Sequence, residues 1–321
     1  MKLFFYFSTL LVFFVTHQLH AAEKPNVILI LCDDVGFECF GSYGSREYTT
    51  PRLDALAANG VRFENCHSTP LCTPSRVNLM SGKSNVFNYF DFGVYPEGQP
   101  TFANYFQEPS YQTAVAGKWQ LLTGKGGITP EQAGFDTHCL WNIPGGGRNR
   151  YWNPSLVQDG ELLDLPKESY GPDITTDFLI DFITKNQTNP FLVYFPMILP
   201  HNPFDVTPDS DDPQSTDSKK NFIDMVQYID KNVGRLEDTL TSLGLRKQTL
   251  ILFTSDNGTN AQLTSELDGQ TIQGGKGYTH DYGTHVPLIV NWPGQIQGGR
   301  VIHDLICFSD VFPTIVDAAQ L

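Results

Sequence analysis

Basic residues are scarce in this chain of 321 residues. Its 21 lysines and arginines stand against 35 aspartates and glutamates, which gives a formal net charge of −14 at pH 7. A chain this acidic has no general basic surface, so we exclude nucleic acid as a partner. Any anion that the protein binds must be held by a local cluster of positive side chains.

Long hydrophobic runs are also rare. The run at residues 3–15 follows Lys2 and precedes the small residues Ala21 and Ala22, which is the pattern of an export signal. This run is shorter than the roughly 20 residues that span a bilayer, and no later run is long enough. We therefore expect a signal peptide at residues 1–22 and an exported protein, periplasmic or secreted, without a stable membrane anchor. An uncleaved anchor is the alternative.

The spacing of the cysteines indicates no disulfide framework. A domain of this size does not depend on disulfides, and their pairing cannot be read from the spacing. If one cysteine is chemically converted, five remain, and at least one of them is a free thiol or forms an intermolecular bridge. The six cysteines are Cys32, Cys39, Cys66, Cys72, Cys139 and Cys307.

The chain has no internal repeat, and short apolar runs alternate with segments of helical spacing. Near-continuous apolar runs are typical of strands that are buried on both faces of a parallel sheet. Helices are expected around residues 51–59, where Thr50 can cap the helix and Gly60 can end it, and around residues 174–183 and 222–240. The runs that we interpret as strands are residues 27–31, 113–116, 191–195, 250–253 and 287–290.

This alternation predicts the fold class and the place of the site. We expect an α/β fold with a large, mostly parallel sheet sandwiched between helices, in one domain of residues 23–321. Ligands bind to such sheets beyond the carboxyl ends of the strands. The polar residues next to the predicted strands are therefore the candidates for the site.

Two pairs of oxygen ligands follow predicted strands. Asp33 and Asp34 come soon after the first apolar run, and Asp256 and Asn257 come soon after the fourth. Oxygen ligands favour Ca²⁺ or Mg²⁺ over Zn²⁺, which prefers histidine or cysteine. Each pair alone is also a common turn sequence, so the predicted metal site depends on the two pairs meeting.

The pentapeptide CTPSR, which runs from Cys72 to Arg76, is the most informative motif. We expect a helix to begin at Cys72, so that backbone N–H groups and the helix dipole attract an anion there. Arg76 then lies one turn further along on the same face. On the residues alone, a partly buried thiol and a surface arginine are the alternatives.

CTPSR resembles the CxPxR signature of the type I sulfatases, the formylglycine-dependent, arylsulfatase-like family of the alkaline phosphatase superfamily. The segments SYQTAVAGKW, LPHNPF, TSDNG and GGKGYTHDYGTHVPLIV resemble other family segments in the same order, and DVFPTIVDAA resembles the last helix of the main domain. The resemblance covers about residues 24–321. It implies a sulfatase-like fold and hydrolysis of sulfate esters, with a sulfated small molecule or glycan as the substrate.

The resemblance also implies roles for individual residues. A formylglycine-generating maturation enzyme oxidises the cysteine, and the aldehyde hydrate attacks sulfur beside a bound Ca²⁺ or, alternatively, Mg²⁺. His201 or Lys276 protonates the leaving alcohol. The implied catalytic residues are Cys72, Arg76, Lys118, His201 and Lys276, the substrate-binding residues are Lys118, Gln120, His201 and Lys276, and the cation ligands are Asp33, Asp34, Cys72, Asp256 and Asn257.

The chain departs from the family pattern in two ways. Gln120 stands where the family has a histidine, and an amide cannot act as a base near neutral pH. Asp281 and His285 stand where the family has glutamate and arginine, so His280 or His285 is a candidate for the missing base, unless the pocket fits another substrate. We also expect the family's small C-terminal subdomain to be missing, since the chain stops at Leu321; either the sequence is a fragment or the cleft is open.

Two other functions stay open. A phosphate or phosphonate ester hydrolase of the same superfamily is the nearest rival, although such relatives often use threonine or serine with two zinc ions. The other alternative is a protein that binds sulfated glycans but has lost the ability to hydrolyse them. The replacement of the usual histidine by Gln120 supports this alternative. The oxygen ligands and the CxPxR motif favour one hard cation and sulfate.

Overall fold

A computed structural model describes residues 24–108, 110–122 and 126–321 of the protein. The predicted signal peptide at residues 1–22 lies outside the described residues and stays a prediction. Within the described part of the chain, no helix is both long and apolar enough to cross a membrane.

In the described ranges, ten strands form one sheet, and β9 and β10 pair separately as a hairpin. The strands are β1 Asn26–Cys32, β2 Val61–His67, β3 Gln112–Lys118, β4 Thr137–Trp141, β5 Val157–Gln158, β6 Glu161–Leu162, β7 Phe191–Pro196, β8 Thr249–Ser255, β9 Thr264–Leu267, β10 Gln270–Gln273, β11 His285–Asn291 and β12 Arg300–Cys307. Their order in the sheet is β12-β2-β11-β8-β1-β7-β3-β4-β5-β6.

Helices cover both faces of this sheet. They are α1 Pro51–Ala58, α2 Cys72–Ser81, α3 Asn85–Asn88, α4 Phe102–Tyr105, α5 Gly171–Lys185, α6 Ser218–Ser242, α7 Asp281–Thr284 and α8 Phe308–Ala318, with 3₁₀ helices at Phe37–Cys39, Gly41–Tyr43 and Arg246–Gln248. Alternate residues of β1 join two separate apolar cores, one with α1, α5 and α6 and the other with α2, α4 and α8. The predicted α/β sandwich is confirmed.

Strand direction explains why one edge of the sheet collects the polar residues. The five adjacent strands β8, β1, β7, β3 and β4 are parallel, so their carboxyl ends share that edge. Strand β11 runs antiparallel to both β2 and β8, so it is the start of β11 that lies there. The segment with Lys276, which precedes β11, therefore reaches the same edge as residues that follow the parallel strands.

The five predicted strands and the predicted helices are present, but the cap of α1 differs from the prediction. Thr50 occupies the N-cap position of α1, yet its side chain makes no capping hydrogen bond. The buried carboxylate of Asp230, from α6, accepts the backbone N–H groups of Arg52 at 3.1 Å and Leu53 at 2.8 Å instead. A side chain that is distant in sequence thus replaces the predicted local cap.

The end of α1 lies where the prediction puts it, just before Gly60. The helix ends at Ala58 with Asn59 at the C-cap, so Gly60 lies just beyond it. A Cβ atom at Gly60 would lie 2.5 Å from the carbonyl oxygen of Val290. This glycine therefore also permits a close approach of two backbone segments, which the sequence pattern did not predict.

None of the six cysteines, all of which lie in the described ranges, forms a disulfide. Cys307 is exposed and the other five are buried. The core of the protein therefore forms without covalent cross-links.

The Asp230 cap can be tested by the variant Asp230→Ala. It removes the acceptor for two buried N–H groups, so we expect the free energy of unfolding to fall by about 1–2 kcal/mol. Asp238→Ala is the control, because Asp238 is an exposed carboxylate that contacts the Arg52 side chain; we expect its effect to stay below about 0.5 kcal/mol. Urea denaturation measures both, and equal losses would contradict the proposed cap.

Candidate active site

The predicted nucleophile begins a helix, as expected. Cys72 is the first residue of α2 and only 3% of it is exposed. Ser75 holds the turn that enters the helix, because its hydroxyl donates to the Thr69 carbonyl at 2.9 Å and accepts from the Thr69 N–H at 3.1 Å. The thiol of Cys72 has no hydrogen-bond partner among the described residues, so residue 72 is positioned by the helix and not by contacts of its own side chain.

Arg76 lies one turn further along α2 and is buried. Its Nε and one terminal nitrogen donate to Oδ2 of Asp256 at 3.1 and 2.8 Å, and the other donates to the Lys118 carbonyl at 3.1 Å. Burial opposes the charge of this guanidinium, but Asp256 and Asp33 outweigh it and raise the pKa of Arg76. The surface-arginine alternative is therefore wrong.

The two predicted pairs of oxygen ligands meet, because they follow the adjacent strands β1 and β8. Asp34 has a backbone φ of 73°, and its N–H donates to Oδ1 of Asp256 at 3.1 Å. Asn257 donates from Nδ2 to Oδ1 of Asp34 at 2.8 Å. Asp33, Asp34, Asp256 and Asn257 are all fully buried. We call these four residues the oxygen cluster.

Two predicted lysines neutralise this cluster. Lys118, the last residue of β3, donates from Nζ to Oδ1 of Asp33 at 2.6 Å. Lys276 donates to Oδ2 of Asp34. Burial lowers the pKa of Lys276, but the Asp34 and Asp33 carboxylates outweigh it, and the net shift of its pKa is upward. Both ammonium groups therefore face carboxylates at the point where a bound anion would be attracted.

The aspartates differ in how readily they hold charge. Burial alone would raise the pKa of Asp33, but Lys118, His201 and Arg150 outweigh it and lower that pKa well below its usual range. Burial, reinforced by the Asp33 charge, raises the pKa of Asp256 to about 6. Asp33 is thus the firmly ionised member of the cluster.

His201 points one ring nitrogen at the cluster. Its Nδ1 lies 2.6 Å from the carbonyl oxygen of Asn202, which can only accept, so Nδ1 carries a hydrogen. Its Nε2 lies 3.5 Å from Oδ2 of Asp34. Burial lowers the pKa of His201 to about 4, so the ring is neutral near pH 7 and Nε2 presents a lone pair.

Arg150 also contacts the cluster, and the sequence pattern did not predict it. One of its terminal nitrogens lies 3.2 Å from Oδ2 of Asp33, and its guanidinium lies 4.0 Å from the ring centre of Trp141. The next residue, Tyr151, anchors the loop by donating to the carbonyl of Ile198 at 3.0 Å. The only local signal was an arginine before two aromatic residues in a glycine-rich loop, which does not specify a partner.

Gln120 follows Lys118 by two residues, at the same edge of the sheet. It has a backbone φ of 61° and is buried, and its Oε1 has no hydrogen-bond partner among the described residues. His280 is exposed and His285 donates from Nε2 to the Glu64 carbonyl. Across the described ranges, no hydrogen bond or ion pair joins His280 or His285 to the oxygen cluster.

The oxygen cluster suits a hard divalent cation. It presents three carboxylates and one amide, and Oδ1 of Asn257 is buried without a partner in the part of the chain that the structure describes. Ca²⁺ and Mg²⁺ bind carboxylate oxygens together with amide carbonyl oxygens. A bound cation would therefore give the buried Asn257 oxygen the partner that it lacks. A thiol is too soft for these ions, so Cys72 fits as a ligand only through oxygen, after oxidation.

Comparison with known proteins gives consistent matches. The family model described as Sulfatase matches residues 25–321. The chain is 32% identical to arylsulfatase A of Bos taurus over 94% of this chain and 65% of that protein, and 30% identical to N-acetylgalactosamine-6-sulfatase of Canis lupus familiaris over 94% and 63%. It therefore spans slightly less than two thirds of the length of these relatives.

A solved structure, Ps i-CgsB in complex with k-i-k-neocarrahexaose, has a TM-score of 0.80 and 25% identity. The match covers 93% of this chain and 72% of that one. Nearly all of the chain described above therefore has a fold similar to that of the corresponding part of Ps i-CgsB.

The oxygen cluster predicts calcium-dependent stability. At a Ca²⁺ concentration about 100-fold above Kd, chelator-treated protein should gain about 2.7 kcal/mol of unfolding free energy. Asn257→Ala removes a neutral ligand, and we expect Ca²⁺ binding to weaken by about tenfold or more. Asn59→Ala, an exposed amide outside the cluster, is the control. Thermal unfolding with and without Ca²⁺ measures the effect, and an equal gain in both variants would show that Asn257 is not a ligand.

Proposed function

The chain belongs to the sulfatase family, and from this premise we propose that it hydrolyses sulfate esters of carbohydrates. The observation that supports this best is the position of Cys72. It begins α2, and Arg76 of the same helix is held by Asp256 of the oxygen cluster. The residue expected to become the nucleophile is thus connected to the residues expected to bind a cation through Arg76, which forms buried ion pairs with both Asp256 and Asp33.

Two groups complete the proposed site. In this family a formylglycine supplies the attacking hydroxyl as its hydrate, and a divalent cation withdraws charge from the sulfate. Here formylglycine would come from Cys72, through a maturation enzyme. Asp33, Asp34, Asp256 and Asn257 would hold the cation, which we propose to be Ca²⁺, with Mg²⁺ as the alternative.

The charges of the site favour an anion although the protein as a whole is acidic. The four cationic side chains are Arg76, Lys118, Arg150 and Lys276, and they lie against three carboxylates. One excess positive charge results, and a divalent cation would raise the excess to three. We propose that this local excess binds the sulfate group, with Lys118 and Lys276 as its contacts.

Lys276 and His201 are suited to opposite roles, because one carries a proton and the other presents a lone pair. Lys276 keeps its proton near neutral pH because the Asp34 and Asp33 carboxylates stabilise its charge. It is therefore the better of the two candidates for protonating the leaving alcohol. Neutral His201 presents the Nε2 lone pair and is suited to accept a hydrogen bond from a substrate hydroxyl.

A carbohydrate is the substrate class that the relatives support. One of them is named for sulfate on N-acetylgalactosamine, and the similar structure holds a neocarrahexaose. We propose a sulfated sugar for this chain on that ground.

The first test is sulfate release by protein that has been produced with a formylglycine-generating enzyme. Mass spectrometry should find formylglycine at position 72, and a sulfated oligosaccharide should release sulfate faster than the matched phosphate ester releases phosphate. Cys72→Ala should abolish release, whereas Cys307→Ser, at an exposed cysteine, should not.

Two outcomes would contradict the proposal. Faster phosphate release would identify a phosphate ester hydrolase. Tight glycan binding without release, by converted protein, would identify a binding protein.

The second test addresses the missing base. Because an amide cannot take up a proton near pH 7, we expect Gln120→His to raise kcat, by up to about 10²-fold if no other residue serves as the base. Gln120→Asn is the control, since it keeps an amide. If both variants lose activity equally, the Gln120 amide instead binds the substrate, and another group acts as the base.

A further inference from the structure

A second cluster of ligand-type side chains lies at the ends of β2 and β11. His67 is the last residue of β2, and His285, the first residue of β11, is its cross-strand partner. Asp281 begins α7, one turn before His285. One possible ligand atom from each of these three residues lies within 4.8 Å of the other two. No hydrogen bond or ion pair among the described residues joins this group to the oxygen cluster.

Hydrogen bonding fixes which nitrogen of His285 is free. Its Nε2 lies 2.8 Å from the carbonyl oxygen of Glu64, and because a carbonyl only accepts, Nε2 must carry the hydrogen. The Nδ1 atom lies 3.3 Å from Oδ2 of Asp281. In a neutral ring, Nδ1 has only a lone pair, which faces a carboxylate oxygen. Two acceptors so placed need a cation between them, either a proton or a metal ion.

The neighbouring groups favour a metal ion. The His67 ring stacks on the His285 ring with their centres 5.0 Å apart, and the Phe37 ring stacks on His285 at 3.9 Å. A proton on Nδ1 of His285 would satisfy Asp281 alone. A metal ion would bind one ligand atom from each of the three residues. Nδ1 of His67 also lies 3.3 Å from the hydroxyl oxygen of Thr284.

We propose that His67, Asp281 and His285 bind a divalent transition metal of the zinc class, such as Zn²⁺, Co²⁺ or Ni²⁺. Imidazole nitrogens with one carboxylate are the ligands these ions prefer, and Ca²⁺ and Mg²⁺ prefer oxygen alone. Metal–ligand bonds of about 2.0–2.1 Å in a tetrahedral site place neighbouring ligand atoms about 3.3 Å apart. Asp281 and His285 already have this spacing.

The surroundings have the features of a metal site. The Glu64 carbonyl accepts the Nε2 hydrogen of His285, which is the common outer contact of a ligating histidine. The side chain of Asp281 is 57% exposed, which leaves a path for the ion and a free position for water. His285 is buried, so the protein encloses the site on the His285 side, and solvent reaches it on the Asp281 side.

A metal at this position would stabilise the loop that carries Lys276. It would connect β2, α7 and β11, and the segment before α7 already bonds to the one after β2 through the Gly277 N–H and the Pro70 carbonyl at 2.9 Å. The proposed role is thus structural, and it does not depend on the hydrolysis proposed above.

The test is a titration with Co²⁺ of the purified chain, with the oxygen cluster saturated by Ca²⁺. We expect one Co²⁺ per chain, visible d–d absorption from a low-symmetry site, and displacement by Zn²⁺. Affinity should fall about tenfold or more in His67→Ala and in Asp281→Asn. His303→Ala, at an exposed histidine outside the cluster, should bind as the unchanged chain does.

Two results would overturn the proposal. One is the absence of Co²⁺ absorption in the unchanged chain, in which case a proton joins His285 and Asp281. The other is an equal affinity in Asp281→Asn. This variant replaces an exposed carboxylate by an amide of the same shape, so it remains folded even if His67→Ala is unstable; circular dichroism checks both. Because the readout is metal binding, a failed sulfatase assay leaves this outcome unaffected.

Discussion

The buried pair of Arg76 and Asp256 is the interaction on which the site depends. A buried charge without a partner costs several kcal/mol, so each of the carboxylates at this edge requires a positive neighbour. Arg76 meets that requirement from α2 and also binds the Lys118 carbonyl at the end of β3. The helix that begins with Cys72 is thereby tied to two strands, and the position of residue 72 follows from the ion pair.

Strand direction gathers the rest of the chemistry at the same edge. The parallel strands β8, β1, β7 and β3 deliver their following residues there, and the antiparallel β11 delivers the residues before it. An acidic chain can in this way concentrate four cationic side chains around three carboxylates. The local charge is then opposite in sign to the net charge of the protein, as the binding of an anion requires.

Two clusters with different donor chemistry share no ligand. The oxygen cluster has only carboxylate and amide oxygens and suits a hard cation. The cluster of His67, Asp281 and His285 has imidazole nitrogens and suits a transition metal. Among the histidines of the described residues, His201 is the one whose ring faces the oxygen cluster, and its neutral Nε2 keeps a lone pair there.

The sequence by itself determined five of the twelve strands described above, the start of α2 at Cys72 and the convergence of the predicted ligands, because these follow from local periodicity and from the shared edge of a parallel sheet. Only the tertiary structure decided that Arg150 neutralises Asp33, that Asp230 caps α1, and that His67 meets Asp281. Each of these contacts joins residues that are distant in the chain. Their partners depend on how loops and helices pack, which spacing along the sequence does not specify.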